Sequence, residues 1–174
     1  ILTVRAPFAE GVLLETLILS ILNHDSAIAS AAARMVSAAG SRPIIEMGSR
    51  RTHERAAVAS ARAAYIAGVA ATSNLEAARS FGVPSAGTAA HAFTLGFTGP
   101  DGPDEKAAFA AQIEALGIGT TLLVDTYDIT QGVRNAIEVA GPGLGAVRID
   151  SGDLGVLARQ VRAQLDDLGA TETK

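Results

Sequence analysis

The sequence predicts an α/β fold built from repeated βα units. Three observations carry that expectation. Helical stretches alternate with short apolar strands, glycine stands just past most helices, and polar residues collect where the strands end. Repetition of this kind builds either a barrel or an open doubly wound sheet. A complete barrel typically takes about 250 residues, more than the 174 present, so a barrel would be incomplete in this chain.

The elements follow in order. Residues 1–4 read as a strand already under way. The apolar run Val12 to Leu22, interrupted by Glu15 and Thr16, predicts a buried helix. It falls short of the roughly 20 residues of a membrane span. It also lacks the basic start and small-residue cleavage site of a signal peptide. Further helices are expected over 26–39, 53–67, 74–81, 104–116, 128–140 and 153–168. Gly40, Gly68, Gly117, Gly141 and Gly169 stand just past helix ends, where only glycine enters the left-handed conformation without steric cost. Strands are expected over 43–47, 69–72, 85–91, 120–125 and 146–150. The fourth and fifth, Thr-Thr-Leu-Leu-Val-Asp and Ala-Val-Arg-Ile-Asp, are mostly apolar with a polar end, as suits a parallel strand covered on both faces. Gly99-Pro-Asp-Gly-Pro103 reads as an exposed turn.

Composition narrows the class. With 48% apolar residues the chain can bury a core, and one domain is the default expectation. The net charge of −4 and the lack of a basic block argue against nucleic acid as a partner. There is no cysteine, hence no disulfide and no thiolate metal site; a cytoplasmic protein without membrane attachment is the expectation. Lys106 and Lys174 are the only lysines and neither lies on an expected strand, which disfavours Schiff-base chemistry. No phosphate-binding P-loop, HExxH or GxGxxG pattern occurs. The first residue is Ile1, and 169–174 leave a helix where another strand would begin; both features suggest a fragment of a longer chain.

In parallel α/β folds the chemistry sits at the carboxyl ends of the strands. Those ends carry Gly48-Ser-Arg-Arg-Thr-His53, Thr72-Ser-Asn74, Gly87-Thr-Ala-Ala-His91, Asp125-Thr-Tyr-Asp128 and Arg148-Ile-Asp-Ser-Gly-Asp153. Arg50 and Arg51 offer forked donors to a carboxylate or phosphate; a surface pair is the plainer reading, and the position after a strand favours the ligand. His91 is either a satisfied core histidine or a nucleophile or proton carrier. Asp125 and Asp150 suit Mg²⁺ or sugar hydroxyls, whereas Asp128 and Asp153 also suit helix caps. Arg148, within an apolar strand, needs a partner: a buried Asp is the plainer answer and a ligand phosphate the sharper one.

Taken together, Gly48-Ser-Arg-Arg-Thr-His53, Ala71-Thr-Ser-Asn-Leu-Glu-Ala77, Gly87-Thr-Ala-Ala-His-Ala-Phe93, Leu123-Val-Asp-Thr-Tyr-Asp128 and Val147-Arg-Ile-Asp-Ser-Gly-Asp-Leu154 resemble the nicotinate phosphoribosyltransferases, in the order and at the spacing of that family. The resemblance implies that residues 1–174 are the central part of an irregular α/β barrel domain, without the amino-terminal domain and the later strands. It implies transfer of phosphoribose from phosphoribosyl pyrophosphate to nicotinate, with ATP as co-substrate, Mg²⁺ as cofactor and a homodimer as the assembly. His91 matches a histidine that becomes phosphorylated, and Asp125 and Asp150 match acids near the ribose, pyrophosphate and metal. Arg50, Arg51, Ser73, Asn74, Gly87, Thr88, Arg148, Ser151 and Gly152 fall in the substrate-binding motifs. Val69-Ala70 stands where many relatives have Phe-Asp, which removes one acid. A sister enzyme for nicotinamide or quinolinate, or an inactive truncated scaffold, are the alternatives; Arg50 and Arg51 favour an acidic substrate.

Overall fold

A computed structural model describes residues 2–174, and the chain divides into two compact units, Ile1–Gly87 and Thr88–Lys174. The strand expected over 1–4 begins outside the described residues at Ile1, and residues 2–4 are irregular and exposed.

In the first unit a single long helix, α1 (Phe8–Ala39), replaces the two helices expected over 12–22 and 26–39. Asn23-His-Asp25 contains neither Gly nor Pro, so nothing between the two stretches breaks the backbone ladder. The second half of α1 packs on α2 (Glu54–Ile66), where Ala32, Ala64 and Val69 form a small core with Ile28, Val36 and Ile44 around it. The expectation of burial for the first half fails: Phe8, Val12, Leu13, Leu17 and Leu19 are exposed. The apolar run Val12–Leu22 is only part of α1, and by length and composition alone the whole helix is long and apolar enough to cross a membrane. Strands β1 (Ile45–Glu46) and β2 (Ala71–Thr72) pair in parallel, and a 3-10 turn, Ser49–Arg51, follows β1. The helix after β2 is α3 (Leu75–Phe81), capped by Asn74 Oδ1, which accepts the Ala77 N–H at 2.9 Å.

The strand expected over 85–91 reduces to one bridge, Thr72 to Ser85. Gly87-Thr-Ala-Ala offers one β-branched side chain and little to pack on a pleated surface. His91 instead opens a short helix, α4 (His91–Leu95).

The second unit holds the larger core. Strands β3 (Thr98–Gly99) and β4 (Gly102–Pro103) make a minimal antiparallel hairpin around the expected turn. Helix α5 (Glu105–Leu116) leads to β5 (Thr121–Leu123), and α6 (Ile129–Ala140) leads to β6 (Ala146–Arg148), which pairs with β5 in parallel. Helix α7 (Leu154–Asp167) follows. Phe109, Leu122, Val124, Val133, Leu144, Val161 and Leu165 interlock as the core of these βα pairs. Asp104, Asp128 and Asp153 cap α5, α6 and α7 through their side chains. At the far end, the Lys174 N–H donates to Gly145 O and the Val147 N–H donates to Lys174 O, so the chain already lies along β6. The result is an α/β fold of parallel βα pairs with no closed barrel among the described residues.

Candidate functional site

In the first unit the ends of β1 and β2 are tied by one carboxylate. The Thr72 hydroxyl donates to Glu46 Oε2 at 2.6 Å, and the Gly48 N–H donates to Glu46 Oε1 at 2.5 Å. Thr72 is fully buried. Its Oγ1 accepts the Asn74 N–H at 3.0 Å, and Asn74 Nδ2 donates to Ser49 Oγ at 3.0 Å. Both strand ends therefore grip the turn that carries Arg50 and Arg51. These two arginines are exposed, and neither enters an ion pair among the described residues. Two guanidiniums without an acidic partner leave forked donors free for an anion. Ser73 is exposed beside them, and its N–H donates to Glu46 O at 2.9 Å.

In the second unit a chain of polar contacts runs across the carboxyl ends of β5 and β6. Arg148 donates from Nη1 to Thr88 Oγ1 and from Nη2 to Asp150 Oδ1, each at 2.6 Å. The other Asp150 oxygen, Oδ2, lies 3.5 Å from His91 Nε2, and His91 Nδ1 lies 3.1 Å from Thr126 Oγ1. Arg148 thus pairs with Asp150, two residues on, a carboxylate that is half-exposed rather than buried as expected. Alongside, Asp125 Oδ2 accepts the Ser151 hydroxyl at 2.6 Å and the Asp150 N–H at 2.9 Å. Gly152 has φ +79, a left-handed conformation that lets the chain turn from Ser151 into the cap of α7.

Burial acts to raise the Asp125 pKa, but the Ser151 and Asp150 hydrogen bonds and the His91 charge outweigh it, so the carboxyl stays below its usual range. Asp125 is thus ionised, and its Oδ1 is buried without a hydrogen-bond partner. No group of three or more His, Cys, Asp or Glu side chains converges as a metal centre among the described residues. Mg²⁺, however, commonly binds one or two protein carboxylates and completes its shell with water and phosphate oxygens. The orphaned oxygen of Asp125, with Asp150 beside it, fits that donor set.

Each residue expected to act has a place. Arg50, Arg51, Ser73, Asn74 and Gly87 belong to the first unit; Thr88, His91, Asp125, Arg148, Asp150, Ser151 and Gly152 belong to the second. Asn74 is drawn into capping α3 and holding Ser49. His91 is not a core histidine, since its side chain is 39% exposed. Glu46 went unnoticed in the sequence, and Thr72 and Thr126 entered only as parts of strand-end motifs, without a role of their own. An acid within a short strand reads as ordinary alternation; its position two residues before Gly48-Ser-Arg-Arg was the available signal.

Parallel βα pairs with an imidazole, a guanidinium and two carboxylates at the strand ends define an α/β site suited to anionic, phosphorylated ligands. No protein-family model matches the chain. Among curated proteins, it is 72% identical over its whole length to nicotinate phosphoribosyltransferase pncB1 of Mycobacterium tuberculosis, of which it covers 40%. Among solved structures, it is similar to human nicotinic acid phosphoribosyltransferase, with TM-score 0.72 and 29% identity over 92% of this chain and 43% of that one. It is also similar to nicotinate-nucleotide pyrophosphorylase from Pyrococcus furiosus, with TM-score 0.77 and 30% identity over 87% of this chain and 40% of that one. The chain is thus similar along its full length to nicotinate phosphoribosyltransferase pncB1, and it spans about 40% of the length of the curated relatives it matches.

Proposed function

We propose that the chain serves a nicotinate phosphoribosyltransferase of NAD salvage, which joins nicotinate to phosphoribosyl pyrophosphate and releases nicotinate mononucleotide and pyrophosphate with coupled ATP hydrolysis. The observation that carries the reading is the 72% identity over the entire chain to a protein of that name. The strand-end chemistry supports it. Arg50 and Arg51 suit the nicotinate carboxylate and a phosphate, since each guanidinium presents paired donors to an anion. In the second unit Arg148 and Thr88 suit phosphate oxygens, and Ser151 and the backbone at Gly152 offer further donors; in the first unit Ser73 and the backbone at Gly87 do the same.

His91 is the group we assign to the ATP-coupled step. Thr126 at Nδ1 holds the ring, and Asp150 beside Nε2 stabilises positive charge there. Phosphoryl transfer would break the bond between the terminal phosphate and ADP and form a nitrogen–phosphorus bond on His91. A phosphate on the ring adds negative charge beside Asp150 and biases the site towards a second arrangement. Asp125 and Asp150 suit the stabilisation of positive charge that develops on the ribose. When bound at Asp125, Mg²⁺ would neutralise charge on the departing pyrophosphate. A homodimer in the cytoplasm is part of the same proposal.

Substrate competition on the intact protein tests it. With phosphoribosyl pyrophosphate, ATP and Mg²⁺ present, pyrophosphate release is expected with nicotinate and not with nicotinamide or quinolinate. Release with quinolinate alone would move the chain to the sister activity.

A further inference from the structure

We infer that Glu46 and Thr72 are positioning residues that set the acid-over-amide preference of the site by locking the Ser49–Arg51 turn. The inference rests on the reading of Arg50 and Arg51 as the carboxylate-binding pair. One carboxylate gathers three pieces of backbone. Glu46 Oε1 accepts the Gly48 N–H, Oε2 accepts the Thr72 hydroxyl, and the Glu46 backbone carbonyl accepts the Ser73 N–H. Thr72 has no exposed surface, so its hydroxyl has no water to turn to.

The Gly48 backbone lies so close to this carboxylate that a Cβ there would meet Glu46 Oε1 at 2.8 Å. A side chain at this position would push the end of the carboxylate aside. Through Thr72 the same network reaches Asn74, whose amide donates to Ser49 at the head of the turn. Neither Glu46 nor Thr72 carries the guanidiniums, yet the network they build reaches the turn at two points, Gly48 just before it and Ser49 at its head. A charge-assisted hydrogen bond of this kind exceeds a neutral one in strength, and the pair of them removes the freedom the turn would otherwise have. Preorganised donors bind a carboxylate better because less order must be imposed on binding. A neutral amide gains less from two guanidiniums, so the preorganisation acts on discrimination.

The test compares Thr72→Val, Thr72→Ser and Glu46→Gln with the wild type in the intact protein. Valine keeps the shape and deletes the hydroxyl; serine keeps the hydroxyl and serves as the conservative rescue. In Thr72→Val, KM for nicotinate is expected to rise about tenfold with kcat within about twofold, the signature of lost ground-state binding. The nicotinate-to-nicotinamide ratio of kcat/KM is expected to fall with it. Thr72→Ser returns both towards wild type, and Glu46→Gln falls between. Trypsin, cutting after Arg50 and Arg51, is expected to open the chain there faster in Thr72→Val than in Thr72→Ser, with other sites unchanged. An equal loss with both substrates, or faster cutting everywhere, would reduce Thr72 to a fold residue and overturn the inference. Unchanged KM and ratio in an active enzyme overturns it alone; a wild type inert towards nicotinate overturns it together with the proposed function.

Discussion

His91 Nε2 faces Asp150 Oδ2 at 3.5 Å, while the other oxygen of the same carboxylate holds Arg148. One carboxylate thus serves an imidazole that we assign to chemistry and a guanidinium that we assign to phosphate binding. Both side chains are about 40% exposed, so water screens the pair and its contribution to folding is small. Its consequence is for the position and charge of the ring.

Asp150→Asn keeps the shape and removes that charge. Turnover is expected to fall by about tenfold to a hundredfold, in the range of a disturbed acid–base or nucleophilic group, while thermal stability changes by less than about 1 kcal/mol. Initial rates and a melting curve on one preparation check both halves. A large drop in melting temperature with full activity in the folded fraction would contradict the assignment.

Asp125 makes stability depend on acid. Its folded pKa lies below the ordinary value of 3.8 because the bonds from Ser151 and the Asp150 N–H outweigh burial. Its contribution is therefore complete above that value and is lost as pH falls through the lower folded value. Ser151→Ala removes one of the two bonds and is expected to destabilise by about 1 kcal/mol at neutral pH. The difference from wild type shrinks below pH 3.8. Urea unfolding at a series of pH values measures it.

Glu105 runs the opposite way. Burial raises its pKa, the Asn135 hydrogen bond opposes, and the Asp128 charge adds to the rise. The side chain is buried, and its Oε1 has no hydrogen-bond partner. Stability is therefore highest below the ordinary value of 4.5 and falls as pH rises through the raised folded value. Glu105→Gln preserves the acceptor for Asn135 and removes the charge. It is expected to match or exceed wild-type stability at pH 8 and to lose that advantage in acid, as read by unfolding midpoints at both pH values.

Gly132 explains how α6 lies against β5. A Cβ at this position would meet the Val124 carbonyl oxygen at 2.1 Å, and that oxygen belongs to backbone rather than to a side chain that can move aside. Gly132→Ala is expected to destabilise the second unit by about 3 kcal/mol through overpacking, seen as an earlier denaturant midpoint. It would do so despite the better helix propensity of alanine.

The legible parts of the sequence were those ruled by local chemistry. Asp104, Asp128 and Asp153 announce helix starts because a short carboxylate satisfies free backbone N–H groups, and each does cap its helix. Asp125 and Asp150 stood out because capping did not explain them, and they are bridged by the Asp150 N–H. What depends on packing was hidden. Periodicity could not tell that α1 runs unbroken past His24, or that its apolar first half is exposed. His91 looked like a strand residue because it follows Gly87-Thr-Ala-Ala, yet pairing in that stretch ends at the single bridge of Ser85 with Thr72. Glu46 was hidden most fully, since its role depends on Thr72, distant in sequence and adjacent only once β1 and β2 pair.

Nicotinate-dependent pyrophosphate release in the presence of ATP, compared between the intact wild-type protein and His91→Ala, tests the proposed function at its core. Release by the wild type and a sharp loss of the ATP-stimulated rate in the variant are expected. Release that is unchanged by the substitution would remove His91 from the ATP-coupled step. No release from the wild type with nicotinate, nicotinamide or quinolinate would contradict the phosphoribosyltransferase reading itself.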